Sequence, residues 1–166
     1  MVLDSIDHKI LEELQRNARI TFADLGRKVG LSTPAVIERV RRLESQRIIL
    51  GYHAQVDPAE VGLPVRAFVK ITLAGDKLTR FAAQVKKITE VLECHRVTGG
   101  ESYIVQVAVR DLQHLELVID SLMPYVATNT AMVLASPVPW NAVRPQRVEP
   151  PSSKIPKNLR SSSRTL

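Results

Sequence analysis

The sequence predicts an α+β protein in two parts, three helices followed by a β-α-β-β-α-β sheet domain. Two observations predict it. Over residues 4–45, apolar side chains recur at spacings of three and four, the period of a helix. From residue 65 to about residue 135, period-two runs alternate with helical runs, with turn residues between them. An apolar fraction of 45% is ordinary for a chain that buries a core.

The first helix is expected to start near Asp4, whose carboxylate accepts from first-turn N–H groups, with Asp7 in a capping-box-like position. Ile6, Ile10, Leu11 and Leu14 then point inward, and Asn17-Ala18 ends the helix. A second helix begins at Thr21, with Asp24 in the matching place and Phe22, Leu25 and Val29 inward. Gly30 supplies the left-handed exit. Ser32 is expected to cap a third helix, with Pro34 in its first turn and Val36, Val40 and Leu43 as its core stripe. Two short amphipathic helices joined by a tight turn over residues 21–45 outline a helix-turn-helix, which sets its second helix in the DNA major groove.

Rotation by about 100° per residue from the core stripe decides what that helix offers a partner. Pro34, Glu38, Arg41 and Ser45 lie opposite the stripe, Thr33 and Ile37 on one flank, and Arg39 and Arg42 on the shoulders. The DNA-facing candidates are therefore Thr33, Pro34, Ile37, Glu38 and Arg41. Arg41 leads, because arginine bidentate to guanine is the commonest specific base contact. Ile37 either meets a thymine methyl or packs on the second helix. Glu38 either accepts from cytosine or, as the i,i+4 spacing favours, pairs with Arg42. Arg27, Lys28, Arg42 and Arg47 are the phosphate candidates, positioning the domain without reading sequence.

Residues 48–56 read as extended, and Asp57-Pro58 opens a turn region that runs to Pro64. The expected domains are 1–50 (helix-turn-helix, winged-helix-like), 51–64 (linker strand and turn), 65–143 (sheet domain) and 144–166 (a basic tail). In the sheet domain, residues 65–73 form a strand with Val65, Ala67, Val69, Ile71 and Leu73 on one face. A helix starting at Asp76 turns Leu78, Phe81, Val85 and Ile88 inward. Strands over 91–97 and 103–109 follow, joined through Gly99-Gly100. Asp111 caps a helix with Leu112, Leu115, Ile119 and Leu122 inward, ended by Pro124, and a last strand covers 128–135. Right-handed crossovers make this order a ferredoxin-like sandwich with both helices on one sheet face. The other face, carrying Phe68 beside Arg66, Lys70 and Thr72, is left uncovered, which suggests a second copy of the chain as partner.

The net charge of +6 is unevenly spread: +2 over residues 1–50, −1 over 51–143 and +5 over 144–166. The tail, with four prolines and five serines, reads as disordered and accounts for most of the basicity. Charge alone is thus a weak argument for nucleic acid. No apolar run suits a bilayer, the opening MVLDSIDHK lacks a signal-peptide layout, and a lone Cys94 fits a reducing compartment. The expected location is cytoplasmic and nucleoid-associated. Cys94 and His95 are adjacent on a strand and so face opposite ways, which rules out a shared metal or a catalytic dyad. His8, His53 and His114 show no ligand spacing, and Gly99-Gly100 is too short for a phosphate loop. No metal, cofactor or enzymatic activity is expected. Trp140 is expected to pack against the sheet or a partner chain.

Together, LDSIDHKILEELQRNARITFADLGRKVGLS, VIERVRRLE, GYHAQVDPAEVG and VTGGESYIVQV resemble the Lrp/AsnC family of leucine-responsive, or feast/famine, transcriptional regulators, over about residues 3–143. The resemblance implies a DNA-binding domain followed by an effector-binding and assembly domain, often called RAM. It implies homodimers that assemble to tetramers or octamers on double-stranded DNA, modulated by an amino acid or related metabolite. The effector residues it implies are Thr98, Gly99, Gly100, Glu101, Ser102 and Tyr103, with Thr128 and Thr130 on the last strand; a plain Gly-Gly hairpin is the competing reading of the loop. Two departures stand out. Arg47 replaces a usual glycine after the third helix, and the loop reads GGESY where the family often shows G-D-x-D-Y, leaving Glu101 as its only acid. The function expected is a sequence-specific regulator, with a weakly selective architectural DNA-binding protein without an effector as the alternative.

Overall fold

A computed structural model describes residues 3–73, 77–122 and 127–144. The chain divides into two compact units. One holds residues up to His53 together with the stretch from Trp140; the other holds Ala54–Pro139.

The first unit contains α1 (Ser5–Arg16), α2 (Phe22–Val29) and α3 (Thr33–Ser45). At α1 the capping box forms in full. Asp4 Oδ1 accepts from the N–H groups of Ile6 and Asp7, and Asp7 Oδ2 accepts from the Asp4 N–H. Thr21 Oγ1 caps α2 through the Asp24 N–H. Ser32 precedes α3 but makes no side-chain cap bond, unlike the expectation; Pro34 in the first turn already removes one orphan donor. Ile10, Leu25, Val36 and Leu43 are fully excluded from solvent and form the core with Leu11, Leu14, Val29 and Val40. Phe22 departs from the expected inward set. It is 41% exposed, because the inward position at the start of α2 goes to Leu25 and Gly26.

Two glycines shape the turn between α2 and α3. A Cβ on Gly26 would lie 2.6 Å from the Leu31 carbonyl oxygen, which accepts no displacement without moving backbone. Gly30 exits α2 at φ 76°, the left-handed region that costs other residues about 1 kcal/mol or more. At the far end of α3, Arg47 occupies the same region at φ 56°, the position where the family resemblance leads one to expect glycine. The Arg47 N–H donates to the Glu44 carbonyl and the Ile48 N–H to the Leu43 carbonyl, the two bonds of a Schellman ending.

The second unit contains β1 (Val65–Thr72), α4 (Lys77–Val85), β2 (Val91–Arg96), β3 (Tyr103–Val109), α5 (Leu112–Leu122) and β4 (Ala127–Met132). The strands form one antiparallel sheet in the order β2-β3-β1-β4, with a register irregularity between Val91 and Glu93. Ala67, Val69 and Ile71 of β1 and Val105, Val107 and Val109 of β3 share one face. Phe81 and Val85 of α4 and Leu115, Val118 and Leu122 of α5 pack onto it. Leu112 is exposed and Val118 takes the inward place expected of it. The Asp111 carboxylate accepts the His114 N–H at 2.7 Å, as a cap should. The starting residue Asp76 and the ending residue Pro124 lie outside the described residues, as does the tail from residue 145.

Residues 48–56 contain no strand, against expectation. An extended segment becomes a strand only beside another edge, and the described residues supply none there. A short 3-10 turn, Ala59–Val61, follows. The last strand is shorter than expected, ending at Met132. Trp140–Val143, expected with the sheet domain, sits with the helical unit instead. There Gln15 grips Val143 through both halves of its amide: Nε2 donates to the Val143 carbonyl at 2.9 Å and Oε1 accepts its N–H at 2.8 Å.

Candidate nucleic-acid interface and effector loop

The outward face of α3 follows from its core stripe. With Val36, Val40 and Leu43 buried, Thr33, Pro34, Glu38 and Arg41 are exposed, and Ile37 is half-buried on the flank. Among the described residues Arg41 makes no hydrogen bond or ion pair, so its guanidinium is unengaged.

The other basic candidates are placed differently. Arg27 pairs with Asp24 and Lys28 with Glu13. Lys28 accordingly holds the Glu13 carboxyl below its usual range, and the Thr21 hydroxyl, then Arg27, do the same to Asp24. The Arg27 pair is solvated at both ends, worth little and readily exchanged for a phosphate, while Lys28 is exposed and its partner Glu13 also holds Arg16. Arg47 stands exposed at the end of α3 with no side-chain partner among the described residues.

Arg42 does not pair with Glu38. Its Nη2 donates to both oxygens of Asp7, at 2.8 and 2.9 Å. Arg39 Nη1 donates to Asp7 Oδ1 at 2.9 Å and to Asp4 Oδ2 at 2.6 Å. The i,i+4 preference loses because Asp7 is 1% exposed, and a buried carboxylate recruits a cation far more strongly than a solvated glutamate does. The Asp7 N–H, then the Arg39 guanidinium, hold the Asp4 carboxyl down at about 2. This four-residue network was missed in the sequence, where Asp7 reads only as a capping residue. The available signal was a charged side chain next to the inward position Ile6. Beyond α3, the Tyr52 hydroxyl donates to Glu44 Oε1 at 2.9 Å, and burial, then the glutamate, push the phenol up to about 12.

In the sheet unit the six loop candidates split by environment. Thr98, Gly99 and Gly100 are exposed in the turn. Glu101 Oε1 lies 4.0 Å from Lys70 Nζ. Ser102 is occupied: its Oγ donates to the Leu73 carbonyl at 3.1 Å and accepts the Leu73 N–H at 2.9 Å. Tyr103 is 7% exposed, stacks at 4.9 Å against Phe81 and donates to the Leu78 carbonyl. Both side chains therefore anchor the loop to its own unit. Thr128 pairs with Ile71 from the side opposite Tyr103, which puts their backbones about two strand spacings, ~10 Å, apart. Thr130 stands beside Val69 on the same face. Cys94 faces the core opposite Val105, while His95 faces away opposite Ile104 and contacts Glu93 at 3.1 Å. Burial pushes the Cys94 thiol up, away from reactivity. Among the described residues no cluster of three metal-binding side chains occurs, and no helix is long and apolar enough to cross a membrane.

A three-helix unit with an outward, arginine-bearing third helix, in one chain with a ferredoxin-like sheet unit, defines a helix-turn-helix DNA-binding regulator. The AsnC-type helix-turn-helix domain matches residues 3–44, and the Lrp/AsnC ligand binding domain matches residues 66–143. The HTH-type transcriptional regulator LrpC of Bacillus subtilis is 36% identical over 81% of this chain and 94% of its own. Its solved structure superposes with a TM-score of 0.79, covering 82% of this chain and 97% of that one. The leucine-responsive regulatory protein of Haemophilus influenzae is 43% identical over 66% of this chain and 68% of its own. A feast or famine regulatory protein from M. tuberculosis, solved with L-methionine, is 34% identical with a TM-score of 0.81, over 86% of this chain and 99% of that one. The chain belongs to the Lrp/AsnC family of transcriptional regulators.

Proposed function

We propose that this regulator reads DNA through α3, with Arg41 on a base edge, Thr33, Pro34 and Ile37 at the groove floor, and Arg27, Lys28 and Arg47 on phosphates. One observation supports this above the others: Arg41 is the outward, unengaged guanidinium of a helix whose opposite side is sealed in the core. A second copy covers the free sheet face, where Phe68 is 39% exposed. The dimer presents two α3 helices to half-sites roughly 34–36 Å apart, or a multiple of that; sedimentation of the free protein as a monomer would exclude it. Competition between a duplex enriched from a random pool and random duplex, at fixed salt, tests the reading. A specificity ratio near one favours the architectural alternative. Arg41→Ala is expected to cost about 1–3 kcal/mol on the preferred duplex and much less on random DNA. An equal loss on both would show that Arg41 reads no base.

An amino acid or related metabolite is the effector class, as in the relative bound to L-methionine, and it acts by favouring one assembly state. The loop offers it Thr98, the Gly99-Gly100 backbone and Glu101, whose carboxylate an incoming ammonium shares with Lys70. Calorimetric titration with the twenty amino acids is expected to give weak heats, accompanied by a change in sedimentation. Silence in both measurements with every amino acid would refute an amino-acid effector.

A further inference from the structure

Asp7 is the one charged residue buried among the described residues, and it holds two arginines that both come from α3. We infer that Asp7 of α1 is the positioning residue that fixes the rotation and axial register of the DNA-facing helix, with Arg39 and Arg42 as its two grips, and that Arg42 is not a phosphate contact.

Apolar packing alone does not set such a register. The Val36, Val40 and Leu43 stripe gains from burial in any rotation that keeps it covered, because burial is non-directional. A carboxylate holding two guanidiniums three residues apart is directional. Arg39 and Arg42 lie on one side of α3, at nearly a full turn, and meet the same carboxylate from successive turns. Rotating α3 lengthens both contacts; sliding it toward one arginine strands the other. Asp7 is itself fixed, because its Oδ2 also accepts the Asp4 N–H at 3.2 Å and so ties the carboxylate to the first turn of α1. Asp4 Oδ2 accepts a second bond from the same Arg39 Nη1 at 2.6 Å.

The same geometry decides which arginines face DNA. Asp4 and Asp7 neutralise Arg39 and Arg42. The Arg42 Nε is buried without a partner among the described residues, so the inner edge of this guanidinium is turned away from solvent although the side chain is 41% exposed. Of the three arginines on α3, Arg41 alone keeps an unpaired charge on the outward side.

The inference rests on α3 being the DNA-facing helix, and salt titration of the full chain separates the two. Binding of the wild type, Arg42→Lys and Arg42→Gln to the enriched duplex and to random duplex is measured across salt concentrations. Arg42 meets Asp7 through Nη2 alone; a lysine replaces a phosphate contact well, but its ammonium sits one bond nearer the backbone and falls short of the buried carboxylate. Positioning predicts that Arg42→Lys loses about tenfold or more on the enriched duplex and little on random DNA. It also predicts that Arg42→Gln leaves the slope of log affinity against log salt unchanged. A phosphate role predicts wild-type binding for Arg42→Lys and a slope flattened by about 0.9 per contact for Arg42→Gln, and either result overturns the inference. If Arg42→Gln does not fold, Arg42→Lys, in which Arg39 still pairs the buried carboxylate and the charge at 42 is kept, decides alone. A wild type with no site preference would sink the reading of α3 itself.

Discussion

Replacing Arg47 by glycine is expected to make the protein more stable and a weaker DNA binder. The backbone at Arg47 lies at φ 56°, and the N–H groups of Arg47 and Ile48 complete the ending of α3, so the conformation is imposed by the helix end. A non-glycine residue there costs about 1–2 kcal/mol. Glycine removes that strain but adds freedom to the unfolded chain, which takes back about 0.4–1 kcal/mol. The side chain is exposed and unpaired among the described residues, so no contact is lost. The net gain is about 0.5–1 kcal/mol, a rise of roughly 2–8 °C in Tm for a unit this small. On DNA the removal of one phosphate contact flattens the log–log salt slope by about 0.9.

Thermal denaturation followed by helical circular dichroism and a salt series of binding isotherms measure the two effects. Arg47→Ala separates them: it removes the charge but keeps the strain, so its slope should match that of the glycine variant while its Tm stays near wild type. A fall in Tm for Arg47→Gly would refute the strain argument. An unchanged slope in both variants would refute the phosphate contact.

Two further outcomes are expected. Asp4 titrates at about 2 in the fold against an ordinary value of 3.8, so its stabilisation is complete above the ordinary value and is lost as pH falls from there through about 2. In acid unfolding, Asp4→Asn should lack that portion and converge with wild type at the acid end; parallel curves between pH 2 and 4 would contradict the assignment. A chain ending at Val143 keeps the residue gripped by Gln15 but loses a net charge of +5. Its affinity should fall on preferred and random duplex alike, and a changed site preference in a binding-site selection would contradict this.

The parts of the fold that were legible in the sequence are those written in local code. Asp4, Thr21, Gly30 and Asp111 mark helix ends by chemistry that acts within four residues, and the period-two runs of β1 and β3 declare their buried face. Phe22 and Leu112 were misplaced because both sit in the first turn of a helix, where position relative to the stripe depends on the docking angle and not on spacing. The absent strand at residues 48–56 and the return of Trp140–Val143 to the helical unit depend on which surface lies nearby, and no local pattern encodes that. At the candidate site the outward face of α3 was readable by rotation alone. The partner of Arg42 was not, since Asp7 is 35 residues distant and was read for its capping role.

That misreading bears on how such a helix is to be read at all. The sequence offers two arginines of α3, Arg41 and Arg42, as DNA contacts, yet a guanidinium is equally suited to gripping a carboxylate and a phosphate. What separates the two uses is the competing acid, and burial sets its strength. Asp24, with its side chain 42% exposed, holds Arg27 through a pair that a phosphate can displace at little cost, and Glu13, 18% exposed, keeps Arg16 as a partner when Lys28 leaves. Buried Asp7 releases Arg42 only by giving up one of the two cations that compensate it, a cost that a solvated carboxylate does not impose. The basic residues of this unit thus sort by the burial of their acidic partners. Arg39 and Arg42 orient the helix, Arg27 and Lys28 are exchangeable, and Arg41 and Arg47 stand unengaged among the described residues, one in the middle of the outward face and the other held at its end in a conformation usually left to glycine.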